Sequence, residues 1–140
     1  GSAGDAKADA MAAVLKRAAA LAGAGVVVRG PVPKATLVEE FRAARCMLYR
    51  GDENETFCLA LGEAQAMGVP AVVTPRGSVV ERVIDGETGF IAGDDEAFAL
   101  AASRLLTDDA LWSAQHGAAL ARQRAWRWPQ AAAAFEELLA

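Results

Sequence analysis

Apolar runs separated by polar and glycine-rich breaks predict an alternation of helices and strands along this chain. Runs with apolar residues three to four positions apart are typical of helices, and short continuous apolar runs are typical of strands buried in a parallel sheet. We expect helices over residues 5–21, 34–44, 57–67, 79–84, 94–106, 108–123 and 129–140, and strands over 26–28, 46–49, 71–74 and 89–92.

This alternation predicts an α/β fold, with a doubly wound, Rossmann-like parallel sheet and trailing helices at the carboxyl end. The chain has 140 residues, enough for a single domain spanning 1–140. In such sheets ligands bind beyond the carboxyl ends of the strands. The loops after Tyr49 and Thr74 lie at those ends, so we expect a site there.

Two glutamates flank the most informative segment, an apolar predicted helix that closes on Gly-Val-Pro. Glu55 lies just before this helix and Glu63 lies in its body, eight positions later. A carboxylate near an apolar surface is costly unless a polar group meets it, and the free N–H groups of a first helical turn, here around 57–59, can hold an anion. The segment could therefore receive a sugar, a diphosphate and a ribose in line.

The same segment resembles the E-x7-E element of retaining GT-B glycosyltransferases of family 4. That family shows Glu-x-Phe-Gly, then Glu-Ala-Met-Ala-x-Gly-x-Pro, and further along Gly-Gly-x-x-Glu and Asp-Gly-x-x-Gly. The corresponding residues here are Glu55-Thr56-Phe57-Cys58, Glu63-Ala64-Gln65-Ala66-Met67-Gly68-Val69-Pro70, Gly77-Ser78-Val79-Val80-Glu81 and Asp85-Gly86-Glu87-Thr88-Gly89. Order and gaps agree from about residue 26 to 128, so the chain looks like a donor-binding, carboxyl-terminal GT-B domain.

The resemblance implies a role for each residue of the segment. Glu55, the candidate catalytic residue, would contact the hydroxyls of the donor sugar, and Glu63 would bind the ribose. The other implied donor-binding residues are Phe57, Cys58 and Leu59, through backbone N–H groups on the phosphates, and Arg76, Gly77 and Ser78 in the later turn. Plainer roles stay open for several: side chains of the core, a turn glycine, a helix cap and a solvated loop arginine.

Departures from the family pattern and the remaining chemical side chains have simpler interpretations. Cys58 stands where the family has glycine beside the phosphates, and it is interpreted, like Cys46, as a small core residue. We expect His116 to be a surface helix residue away from the motifs. Trp126 and Trp128 resemble the family's aromatic pair and are expected to anchor the last helix to the core.

Composition narrows the range of partners. The net charge is −4 and no basic block is present, which argues against nucleic acid. No run is long and apolar enough for a transmembrane segment. With one histidine and no paired cysteine motif, a metal site is not expected, and the resemblance implies a nucleotide-diphosphate sugar as substrate without metal or other cofactor. The expected location is the cytoplasm, or the membrane periphery in a full-length enzyme.

The resemblance also predicts that this is a truncated domain. The family's domain begins with further strands that supply basic residues for the diphosphate, and a separate amino-terminal domain binds the acceptor. We therefore expect the chain alone to be inactive, and an exposed sheet edge near 26–28 to favour a dimer. The alternatives are a non-catalytic nucleotide-binding α/β domain, or part of another GT-B enzyme, a phosphorylase or an epimerase.

Overall fold

The computed structural model describes residues 3–125 and 127–138, and the chain forms two compact units, residues 1–36 and 37–140. The helices are α1 (Ala3–Ala20), α2 (Lys34–Ala43), α3 (Leu59–Ala66), α4 (Asp95–Thr107), α5 (Asp109–Ala125) and α6 (Trp128–Glu137). The strands are β1 (Met47–Tyr49), β2 (Ala71–Val73) and β3 (Gly89–Ile91), and 3-10 turns occur at Ala22–Ala24 and Gly77–Glu81.

The second unit is built on a three-stranded parallel sheet in the order β1-β2-β3. Because side chains alternate along a strand, Ala71 and Val73 face one side and Val72 the other. Leu61 of α3 packs on the first side, and Leu105 of α4 packs on the second. Helices therefore cover both faces of the sheet, and the predicted doubly wound α/β fold is confirmed.

α5 packs against both α3 and α4 at the amino ends of the strands. The Nδ1–H group of His116 donates to the Gly68 carbonyl oxygen at 2.6 Å, and its ring stacks on Trp112 with 4.7 Å between centroids. The indole N–H of Trp112 donates to the Arg45 carbonyl oxygen at 2.7 Å. His116 is thus half-buried and supports the end of α3, whereas the sequence predicted a surface position.

Several predicted elements have different bounds or do not form. Residues 26–28 form no strand, because the first unit holds no neighbouring strand, within its described residues, to pair with them. The exposed edge predicted there is therefore wrong, and dimerisation stays a prediction. The predicted helix 79–84 is instead the 3-10 turn Gly77–Glu81.

The last helix does not follow the expected packing. Trp128 is 88% exposed, so it does not anchor α6 to the core, and Trp126 lies outside the described residues. The carboxyl end predicted for this helix, at residue 140, also lies outside them. Nowhere in the described parts of the chain does a helix combine the length and apolar character needed to cross a bilayer.

Candidate functional site

The candidate site lies at the carboxyl edge of the sheet, as the sequence predicted. Glu55 lies in the loop between β1 and α3, and Arg76 begins the 3-10 turn after β2. The hydroxyl of Thr74 donates to the Arg50 carbonyl oxygen, which ties the two loops together directly beyond the strand ends. The structure therefore brings the glutamate-bearing loop and the later glycine turn side by side.

The carboxylate of Glu55 is fixed at both of its oxygens. Oε1 accepts the backbone N–H of Cys58 at 2.9 Å, and Oε2 accepts the hydroxyl of Tyr49 at 3.0 Å. The Cys58 N–H, and after it the Tyr49 hydroxyl, hold the pKa of Glu55 below its ordinary value, because both bonds favour the charged form. Glu55 is therefore an oriented, ionised carboxylate, and each oxygen retains a lone pair for another donor.

Cys58 explains why the helix begins later than predicted. It is the N-cap of α3 and adopts a left-handed backbone with φ of 52°. Side chains other than glycine disfavour this conformation by roughly 1–2 kcal/mol. Cys58 nevertheless lies buried in the core beside Leu61 and Val79, and burial raises the pKa of its thiol. The side chain was correctly predicted to be a core residue, but its backbone is the one that a glycine would prefer.

A pair of substitutions at Cys58 measures this strain. We expect Cys58→Gly to be more stable than Cys58→Ala by about 1 kcal/mol, because glycine adopts positive φ without a steric penalty. Ala99, at an exposed position within α4, serves as the control, where glycine should instead cost about 0.5–1 kcal/mol. Urea denaturation measures all three. Alanine as stable as glycine at position 58 would show that the left-handed backbone is not present in solution.

The late helix start also moves the expected anion site. The N–H of Cys58 is taken by Glu55, and the Phe57 carbonyl oxygen accepts the Nε–H of Arg82 at 2.8 Å. The first-turn N–H groups of α3 that take no part in its internal hydrogen bonds are those of Leu59 and the two residues after it. The anion site predicted at the N–H groups of residues 57–59 thus shifts to those of residues 59–61.

Glu63 lies on α3, the same helix whose first turn carries these N–H groups. It is half-buried and sits four residues after Leu59, which places both on one side of α3 and about 6 Å apart along its axis. The face of α3 toward the core carries Leu61 and Ala64 instead. Glu63 therefore belongs neither to the buried face of α3 nor to a fully solvated one.

Gly77 and Ser78 contact the loop that carries Glu55. The backbone N–H of Ser78 donates to the Glu55 carbonyl oxygen at 2.9 Å. Gly77 has φ of 57°, and a Cβ there would lie 2.8 Å from the Glu55 carbonyl oxygen and collide with that of Asp52. Their first role is to position the loop. Arg76 is exposed, and its Nε is 3.9 Å from a carboxylate oxygen of Glu53.

Replacing Gly77 by alanine should therefore destabilise the protein by at least about 2 kcal/mol, since a disfavoured φ and a backbone clash act together. Gly93 is the matched control, because a Cβ there meets nothing within 4 Å. Thermal and urea unfolding compare the two variants. Equal stability of Gly77→Ala and Gly93→Ala would contradict the observed contact between the two loops.

Three residues of the site were not singled out from the sequence. Tyr49 bonds to Glu55, and Arg82 packs over the Phe57 ring at 3.7 Å while bonding to its carbonyl. Gln65 lies on the buried side of α3, and its side-chain amide donates to the carbonyl oxygen of Thr88. For Tyr49, the available signal was its position at the end of the strand that precedes the loop with Glu55. Nothing in the sequence pattern indicated the other two.

An open cleft lies beside the loops at the same sheet edge. Its volume is about 570 Å³, and its lining includes Arg50, Thr74 and Arg76 together with three acidic residues at the start of α4. Arg50 is already paired with Asp95, at 2.6 Å. The part of this edge that faces β3 therefore presents a mixed, largely compensated set of charges.

Comparison with known protein families gives one domain match. The model of the family described as glycosyl transferases group 1 matches residues 2–108. That range contains both glutamates, the α3 amino terminus and the glycine turn. It ends at Asp108, so α5 and α6 lie beyond it.

Individual relatives agree with this match. The D-inositol 3-phosphate glycosyltransferase of Streptomyces avermitilis is 39% identical over 128 residues, which cover 89% of this chain and 27% of that protein. The protein of the same description from Corynebacterium diphtheriae is 34% identical over 110 residues, covering 77% of this chain and 26% of its own. The chain therefore spans about a quarter of the length of these relatives.

A solved structure shares the fold. Sucrose-phosphate synthase from Thermosynechococcus elongatus superposes with a TM-score of 0.63 and 25% sequence identity, over 81% of this chain and 29% of that one. The parallel sheet with helices on both faces therefore has a counterpart in a known glycosyltransferase structure.

Proposed function

This chain belongs to the glycosyl transferases group 1 family, and we propose that it forms the donor-binding part of a retaining, family 4 type GT-B enzyme. In this proposal a longer protein transfers a sugar from a nucleotide-diphosphate sugar to an acceptor. Glu55 contacts the donor sugar, the first-turn N–H groups of α3 contact the diphosphate, and Glu63 contacts the ribose. The proposal includes no metal ion.

The observation that carries this proposal is the doubly anchored carboxylate of Glu55 beside an uncapped helix amino terminus. Helix N–H groups and the helix dipole favour a phosphate at that end. An ionised carboxylate with lone pairs to spare accepts sugar hydroxyls and not a second anion. The two features lie next to each other along the chain, which matches a ligand whose sugar and phosphate groups are adjacent.

Charge distribution supports the view that a further part of the enzyme completes the site. A departing diphosphate needs positive groups near its oxygens. Arg50 is paired with Asp95, Arg76 lies near Glu53, and Arg82 is bonded to the Phe57 carbonyl oxygen. We propose that the remaining positive charge comes from residues outside this chain, together with the acceptor site.

Calorimetry with UDP-glucose, GDP-mannose and ADP-glucose tests the proposal. We expect the 140-residue chain to bind one of these donors weakly, in the range of about 0.1–1 mM, and to transfer no sugar. Binding should weaken in Glu55→Gln, while Glu136→Gln, at an exposed position on α6, serves as control. Rapid sugar transfer by the isolated chain, or a donor affinity that Glu55→Gln leaves unchanged, would contradict the proposal.

A further inference from the structure

The side chain of Tyr49 holds the second oxygen of Glu55, and the proposed function assigns no role to Tyr49. Its hydroxyl donates to Oε2 at 3.0 Å, opposite the Cys58 N–H on Oε1. Without Tyr49 the carboxylate would keep only its contacts with Phe57 and Cys58, which belong to the same loop and to the start of α3. A glutamate side chain held at one oxygen can still rotate, whereas one held at both keeps a single orientation.

The support behind Tyr49 is rigid. Tyr49 ends β1, where it is paired in register with Val73 of β2, and its side chain packs against the core cluster that contains Leu61. Glu55 lies instead in a loop with little regular structure. The Tyr49 hydroxyl therefore holds the Glu55 carboxylate in a fixed position relative to the sheet.

We propose that Tyr49 is a positioning residue of the donor site, which fixes the Glu55 carboxylate so that its free lone pairs meet the hydroxyls of the donor sugar. The inference rests on the proposed function. Fixing the carboxylate before the donor arrives removes the entropy loss that binding would otherwise require. The effect concerns the sugar half of the ligand, because Tyr49 bonds to Glu55 and not to the α3 amino terminus.

The hydrogen bond can be tested without any ligand. Tyr49 is the only tyrosine of the chain, so its ionisation can be followed by absorbance at 295 nm. The bond to Glu55 raises the pKa of Tyr49 to about 12. We expect Glu55→Gln to lower this midpoint toward 10, with circular dichroism showing that the chain stays folded. An unperturbed midpoint near 10 in the wild type would overturn the inference.

Binding measurements then distinguish a positioning role of Tyr49 from a contribution to the stability of the fold. In the chain we compare Tyr49→Phe with the wild type, using whichever of UDP-glucose, GDP-mannose and ADP-glucose binds tightest and the matching free nucleoside diphosphate. The donor sugar should bind roughly three- to tenfold more weakly, equivalent to about one hydrogen bond, and the free diphosphate should bind equally well. Thr107→Val, which removes a hydroxyl bonded within α4, is the matched control.

Three further outcomes are distinguishable. Equal weakening of donor sugar and free diphosphate by Tyr49→Phe would mean a structural role and would overturn the inference. If Glu55→Gln weakens the donor and Tyr49→Phe does not, only the role of Tyr49 is overturned. If Glu55→Gln itself leaves donor affinity unchanged, the proposed function of Glu55 fails, and the positioning role fails with it.

Discussion

Replacing Glu55 by glutamine in the longer enzyme proposed above should lower kcat/KM by about a hundredfold or more. Glutamine keeps the shape of the side chain but removes its charge. Its amide accepts hydrogen bonds at one end only, so one of the two donors, the Cys58 N–H or the Tyr49 hydroxyl, would lose its acceptor. The loss should appear in steady-state transfer assays while the far-UV spectrum stays unchanged.

The matched control for this loss is Glu136→Gln, which makes the same chemical change at an exposed position of α6. It should leave kcat/KM within about twofold, since surface substitutions away from a site have small effects. A Glu55→Gln enzyme with full activity would show that the anchored carboxylate only stabilises the loop.

Replacing Gln65 by alanine should destabilise the protein by about 3 kcal/mol. The side chain of Gln65 is fully buried, and its amide nitrogen lies 3.2 Å from the carbonyl oxygen of Thr88, to which it donates. Its amide oxygen accepts from Gln123 of α5 at 3.4 Å. The substitution leaves a cavity and unpaired polar groups where α3, α5 and the turn before β3 meet. Urea denaturation measures the loss.

Gln65→Met separates the two causes, because methionine fills the space but makes no such bonds. It should cost about 1–2 kcal/mol, between alanine and the wild type. Methionine is also the residue of the family pattern that Gln65 replaces, which makes it the natural control. Alanine no more destabilising than methionine would show that the hydrogen bonds, and not the packing, account for the entire effect.

The sequence predicted the fold where elements were long or buried. The strand 71–74 was found as Ala71–Val73 because its three residues are fully buried, and Asp94 was correctly expected at the start of a helix, which it caps through the N–H of Ala97. The strand expected at residues 26–28 failed for the opposite reason. Its apolar run looks like a buried strand, but burial needs a neighbouring strand, and a pattern along one segment does not report that.

For the site, the motif residues were predicted and their internal bonds were not. Spacing placed Glu55 before a helix and Gly77 in a turn, and both positions are confirmed. The left-handed backbone at Cys58 was not predicted, because cysteine does not favour it, although the glycine of the family pattern at this position was an available signal. The role of Arg82 was not predicted either, because its hydrogen bond to Phe57 joins residues 25 positions apart.

The central claim is that Glu55, the amino terminus of α3 and Glu63 form one wall of a donor site. A crystal structure with the tightest-binding nucleotide-diphosphate sugar tests it most directly. We predict phosphate oxygens about 2.7–3.2 Å from the N–H groups of residues 59–61, sugar hydroxyls on Glu55 and ribose hydroxyls on Glu63. A donor bound elsewhere, such as in the cleft beside Arg50 and Arg76, with Glu55 bonded only to Tyr49 and Cys58, would contradict the claim.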